Sequence, residues 1–302
     1  MKREFLQQCQ KYKHQLVMSW MRSEKLDGIR CFWDGGLFRG CMTPWDSRKA
    51  TGLWTRYCKV ISAPEWFLDM LPLYPLDGEL WCGYGTRQET MSIVTRHEPD
   101  DRWRKVKYMV FTIPNIEKIF ANGSIDYRLG NKKITVEFNN VVTPKGDDRY
   151  FIERYQDLLV NMPRSENLQL VTQTQIPKTI YLRREIEDVL NQVVEDGGEG
   201  LVFQNPISRY NCERSWDALK YKPYDDAEGM VVGTIYGYEK NSSWIKSLSV
   251  EWQGKRFCVS GLTDVERQIE WPVGKMITFR YRGLTDDGIP CEARYYRKAV
   301  LI

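Results

Sequence analysis

The chain has 302 residues, room for two domains of ordinary size, and its 44 Lys+Arg against 40 Asp+Glu leave a net charge of +4, which permits nucleic-acid binding without demanding it. Eight cysteines scattered singly and two histidines exclude a Cys-x-x-Cys zinc site and a His-rich metal centre. No run approaches the roughly eighteen apolar residues of a membrane span and no apolar leader precedes a small-residue cleavage site, so the expectation is a cytoplasmic protein with reduced thiols.

In chain order, Phe5, Leu6, Cys9, Tyr12 and Leu16 recur at helical spacing and predict a short amphipathic helix. Residues 27–38 read as strand, turn and strand about Asp34-Gly35-Gly36, and 39–53 as an irregular loop. Leu53–Tyr57 is an expected strand, Pro64 opens a short helix, Leu76–Trp81 is turn into strand, and Lys107–Phe111 is a strand ended by Pro114. Residues 115–180 give only short expected strands, Ile134–Phe138 and Leu168–Thr172, between polar loops. A helix is expected from Tyr181 to Glu195, closed by Gly197-Gly198, then strands at Leu201–Phe203 and Leu219–Lys222. Beyond Pro223 the texture changes to five short alternating strands, Gly229–Tyr238, Ser247–Trp252, Arg256–Ser260, Met276–Arg282 and Glu292–Tyr296. Five such strands suit a small barrel of the oligonucleotide-binding (OB) type, with a boundary near 223–226.

The chemistry concentrates in Ser23-Glu24-Lys25-Leu26-Asp27-Gly28-Ile29-Arg30. A lysine amine attacks an electrophile only when neutral, and desolvation with nearby cations lowers its pKa toward that state. Asp27-Gly28 supplies a tight turn with free choice of φ, and Arg30 follows closely enough to reach a ribose or phosphate oxygen. Downstream, in order, come Asp77-Gly78-Glu79-Leu80, Lys107–Phe111, Glu199-Gly200-Leu201-Val202 and Leu219-Lys220-Tyr221-Lys222-Pro223. Taken singly, the acids read as surface residues, the lysines as a solvated strand face and Phe111 as core; the ordered set reverses this for the acids and lysines.

This series resembles the Lys-x-Asp-Gly-x-Arg motif set of covalent nucleotidyltransferases, and within them the small ATP-dependent DNA ligases of bacteria and phages, the bacterial E-type included. The resemblance covers most of the catalytic part and, more loosely, the C-terminal barrel. It implies an α+β fold: an ATP-grasp-like nucleotidyltransferase domain of antiparallel sheets and helices over 1–223, then an OB-fold barrel over 224–302. It implies that Lys25 takes AMP from ATP, that the AMP passes to the 5′-phosphate of a nick in double-stranded DNA, and that the 3′-hydroxyl displaces it. It assigns Glu24, Arg30, Arg56, Glu79 and Phe111 to the nucleotide, Glu199 to Mg²⁺, and Lys220 and Lys222 to the α-phosphate. Arg294, Arg297 and Lys298 are assigned to pyrophosphate, and the protein is expected to act as a monomer.

The sequence departs from that pattern in places. Thr112 stands where the family carries Asp after the aromatic residue. Arg39 and Arg56 compete for the upstream Arg position, and Arg56 is chosen because Lys59-Val60-Ile61 and Ala63-Pro64 follow it. The C-terminal basic motif, Arg294 to Lys298, lacks its Asp. An RNA ligase or a GTP-using capping enzyme is the alternative, and a nucleic-acid-binding protein with a decayed site is the non-enzymatic one. An NAD⁺-dependent ligase is disfavoured because the chain lacks room for the extra domains and lacks their Cys₄ zinc site.

Overall fold

The structure, a computed structural model, describes residues 6–43, 46–121, 124–129, 132–137, 145–179, 182–236, 244–285 and 287–299. They fall into two compact units, Met1–Tyr221 and Lys222–Ile302. The first unit opens with β1 (Gln8–Lys11), β2 (Met21–Glu24), β3 (Ile29–Trp33), β4 (Met42–Thr43), β5 (Asp46–Lys49) and β6 (Leu53–Thr55). It continues through α1 (Glu65–Asp69), β7 (Leu76–Trp81), α2 (Arg87–Val94), β8 (Lys107–Thr112), α3 (Ile116–Ala121), β9 (Ser124–Leu129) and β10 (Lys132–Glu137). It closes with α4 (Phe151–Asn161), β11 (Leu168–Leu170), β12 (Thr174–Gln175), α5 (Leu182–Glu195), β13 (Leu201–Gln204) and β14 (Arg214–Tyr221).

Two five-stranded sheets carry this unit, in the orders β1-β14-β13-β2-β12 and β11-β8-β7-β3-β6. Alternation along β3 shows how the sequence builds its layers. Cys31 and Trp33 enter one core with Phe67, Leu68, Ile93 and Trp103, and Phe32 enters another with Trp54, Ile119 and Phe120. The helix α5 lays Ile186 and Leu190 against Leu201, Phe203 and Leu219 of the first sheet.

Three expectations change. The apolar spacing after Leu6 forms no helix: Gln8–Lys11 is a strand in parallel pairing with β14, so a long-range ladder overrides the local period; Phe5 lies outside the described residues. The loop expected over 39–53 contains the short antiparallel pair β4 and β5. The stretch 115–180 holds two helices, α3 and α4, beside the expected strands. In α4, Phe151, Tyr155 and Leu158 line one buried face. Phe138, Tyr181 and residues 237–238, ends of three expected elements, lie outside the described residues.

The second unit contains β15 (Asp225–Tyr236), β16 (Ile245–Trp252), β17 (Lys255–Val259), β18 (Met276–Tyr281) and β19 (Arg294–Lys298) in one sheet of order β17-β16-β15-β18-β19. Val231, Leu248, Val250, Ile277 and Phe279 form its core. The edge strands meet at one parallel bridge, Ser260 with Arg294, where the Tyr295 N–H donates to the Ser260 carbonyl at 2.7 Å. The sheet is therefore a partly open barrel of the OB type rather than one closed along a full ladder. Among the described residues no helix is long and apolar enough to cross a membrane.

Candidate active site

Antiparallel pairing of β13 with both β2 and β14 sets Val202 between Ser23 and Lys220. All three line a pocket in the first unit together with Glu24, Lys25, Arg30, Asp77, Glu79 and Phe111. Leu219 and Tyr221 pack on the α5 side, so alternation along β14 turns Lys220 the other way, into the pocket. Lys25 follows the end of β2, its backbone N–H donating to the Gly200 carbonyl at 2.8 Å. Its Nζ donates to Glu199 Oε2 and, at 3.3 Å, to the Leu26 carbonyl.

Gly28 has another reason than the one its sequence context suggests. Its φ lies outside the left-handed region. A Cβ there would instead meet the Leu80 carbonyl oxygen at 2.2 Å and Glu79 Cγ at 2.7 Å. The glycine lets the loop after Lys25 lie directly on β7, which carries Glu79. Asp27 is held by Arg87 Nη1 at 2.6 Å, from the start of α2.

Two opposed influences act on the amine: burial, and the ion pair with the Glu199 carboxylate. Burial lowers the Lys25 pKa; Glu79 and Asp27 oppose it and Arg87 assists it, and the net direction is down. Burial also pushes Glu79 up to about 7, with Arg30 and Lys25 holding it from going further. Burial raises Glu24 as well, although Tyr84 donates to its Oε2 at 3.0 Å.

Arg30 pairs across the sheet with Glu79, but its fork is taken by Asp77, with Nε and Nη2 each donating at 2.6 Å. Asp77 is fully buried and also accepts from the Tyr210 hydroxyl at 2.8 Å. The guanidinium expected to reach a ligand therefore sits over the Phe111 ring, 5.1 Å from its centroid, as part of the pocket wall. Thr112 accepts from Arg154 Nη1 at 2.7 Å, and that arginine is 1 % exposed.

The remaining candidates lie elsewhere. Arg56 is exposed, 4.6 Å from the Tyr57 ring centroid, and Arg39 pairs with Glu65 and Asp69; neither lines the pocket. Lys222 is the first residue of the second unit. Arg294, Arg297 and Lys298 are exposed on β19, where Arg280 and Arg297 flank the Tyr296 ring at 3.5 and 5.5 Å. Among the described residues no three His, Cys, Asp or Glu gather as a metal cage. A hard cation that keeps its waters needs no such cage, and the Glu199 carboxylate beside Lys25 suits one. Gln7, Phe151, Arg154, Gln173 and Tyr210 also line the pocket. The sequence shows them as isolated residues far from every motif.

The chain is 27 % identical over 288 residues to a DNA ligase of Haemophilus influenzae, covering 95 % of this chain and 89 % of the relative. It is similar to a solved structure from work on DNA binding by Lig E DNA ligases, with TM-score 0.72, 28 % identity, and 97 % of this chain and 98 % of that one covered. Over nearly its whole length the chain is similar to small DNA ligases. Residues 236–298, within the second unit, match the family model described as a DNA ligase OB-like domain. A structure named Pmar-Lig_PreS3, 17 % identical with TM-score 0.69, shares the fold over 98 % of this chain and 68 % of that one.

Proposed function

We propose that this ligase seals nicks in duplex DNA at the expense of ATP, with Lys25 as the covalent nucleophile. The observation that carries the reading is the Lys25 amine, its pKa lowered by burial, in one pocket with Glu79 and Lys220 and in contact with Glu199. The neutral amine attacks the α-phosphorus; the bond to pyrophosphate breaks as the N–P bond forms. The 5′-phosphate at the nick then takes the AMP, releasing the lysine, and the 3′-hydroxyl displaces AMP to close the backbone. Each transfer is in line at phosphorus, so positioning and charge neutralisation supply most of the rate. Lys220 and Lys222 serve the α-phosphate, Glu79 the ribose, and Phe111 the base on the face that Arg30 leaves open. Mg²⁺ would be held by Glu199 with phosphate oxygens and water, and would neutralise phosphate charge. Residues 1–223 act as the adenylation domain. Residues 224–302 act as the DNA-gripping OB domain, where Arg294, Arg297 and Lys298 orient pyrophosphate in a monomeric enzyme.

Mass spectrometry of ATP-treated protein should show one AMP adduct, absent in Lys25→Ala. The wild type should join a nicked duplex bearing a 5′-phosphate. An undiminished adduct in Lys25→Ala overturns the nucleophile. A GMP adduct, or sealing confined to RNA-containing nicks, would replace the DNA-sealing reading by capping or RNA ligation.

A further inference from the structure

Gln173 lines the pocket, yet its side-chain amide makes no hydrogen bond among the described residues, and its Oε1 is buried without a partner. Its backbone, by contrast, is fixed: the Gln173 N–H donates to the Tyr155 hydroxyl at 3.0 Å. Tyr155 in turn stacks on Phe151 one turn earlier in α4, with ring centroids 6.0 Å apart. A buried amide oxygen without a donor is costly, on the order of 1–3 kcal/mol, and such a group in a ligand pocket is matched by the ligand.

The position says which part of the ligand. Thr174 pairs with Arg22 in the β12–β2 ladder, so Gln173 lies beside Ser23, two residues before Lys25. At about 3.3 Å per residue this is roughly 7 Å along the chain from the nucleophile. Lys25, Lys220 and Glu79 line the same pocket, and Glu199 contacts the Lys25 amine. Phe111 and Val202 add apolar surface to the pocket's lining.

We propose that Gln173 reads the edge of the nucleobase and makes the pocket selective for a 6-aminopurine; this rests on the nucleotidyl-transfer reading above. A carboxamide offers one acceptor and one donor side by side, the complement of an exocyclic amine next to a ring nitrogen. Guanine presents a carbonyl at that edge, which the Gln173 amide could meet only by turning over and moving its oxygen out of the buried position it holds.

The test is single-turnover formation of the lysine–nucleotide adduct by the full-length protein. The probes are ATP, GTP and the triphosphate of purine riboside, which lacks the 6-amino group. Wild type should favour ATP over the purine riboside nucleotide by about tenfold or more in apparent Kd. Gln173→Ala and the nearly isosteric Gln173→Met should bring ATP down to the level of purine riboside triphosphate, so that the ratio of the two apparent Kd values collapses toward one. Equal weakening of both nucleotides, or retained discrimination in both variants, overturns the assignment while leaving the lysine chemistry intact. No adduct from wild type with any of the three defeats the nucleotidyl-transfer reading itself, and this inference with it.

Discussion

At the scale of single residues, Arg154 shows what the Thr at 112 does. Its bonds go to neutral oxygens: Thr112 Oγ1, and the carbonyls of Ile113 at 2.5 Å and Arg149 at 3.2 Å. Burial pushes its pKa down to about 10, with Asp147 opposing. Thr112→Val removes an acceptor from a buried cation and should cost about 1–3 kcal/mol in urea unfolding. Thr112→Asp supplies the missing carboxylate and should raise the urea midpoint; a midpoint below that of Thr112→Val would show that the site cannot take the charge. Glu79 gives a pH signature. Its folded pKa of about 7 lies above the ordinary value of 4.5. The folded state therefore holds the proton more tightly, and stability falls as pH rises through that window. Glu79→Gln mimics the protonated form, so its melting temperature should exceed that of wild type more at about pH 8 than at pH 5. Adenylylation should move oppositely: the wild-type rate rises through about pH 7 as the carboxylate forms, and the glutamine variant loses that component. An unchanged pH profile in Glu79→Gln would assign the whole rise to Lys25.

At the scale of elements, Gly28 joins the nucleophile's loop to β7. Gly28→Ala drives a Cβ into the Leu80 carbonyl and should cost about 1–3 kcal/mol. It should lower adenylylation further than that loss implies, because Lys25 moves with the loop. Gly233→Ala, whose Cβ would have its nearest contact at 3.8 Å, is the control; equal losses in both would discount the close approach. The same element explains what the sequence made legible. Lys25, Glu79, Glu199 and Lys220 stand in short motifs whose order resembles that of a known family, and the structure brings them together: Lys25, Glu79 and Lys220 line one pocket and Glu199 contacts Lys25. Gln173, Arg154 and Tyr210 carry no local signal, because long-range pairing and the packing of α4 bring them to the pocket. The strand β1 was illegible for a related reason: its residues have a helical apolar period, and only the partner strand β14 decides otherwise. Gly28 was legible as necessary, though its purpose is space rather than a left-handed turn.

At the scale of the molecule, the two units have separate cores. A fragment ending near Pro223 should fold, yet react poorly with ATP, since the basic residues of β19 assigned to pyrophosphate are gone. It should keep part of the sealing of a nick supplied already adenylylated. Rising salt should weaken nick binding by the whole protein more steeply than by the fragment, because more phosphate contacts are lost. Rates of adenylylation and of sealing, measured on both proteins, decide this. Equal adenylylation would remove Arg294, Arg297 and Lys298 from the first step.

The placement of β14 between β1 and β13 bears on how the enzyme is born. Arg214 donates to the carbonyl of Cys9, 205 residues earlier in the chain. On a ribosome adding about 5–20 residues per second, the first strand waits on the order of ten to forty seconds for its neighbour. Until then the pocket beside Lys25 lacks the wall that carries Lys220, and on the proposed chemistry the nascent polypeptide should not take up AMP. On that reading, charging should wait until nearly all of the first unit has been synthesised.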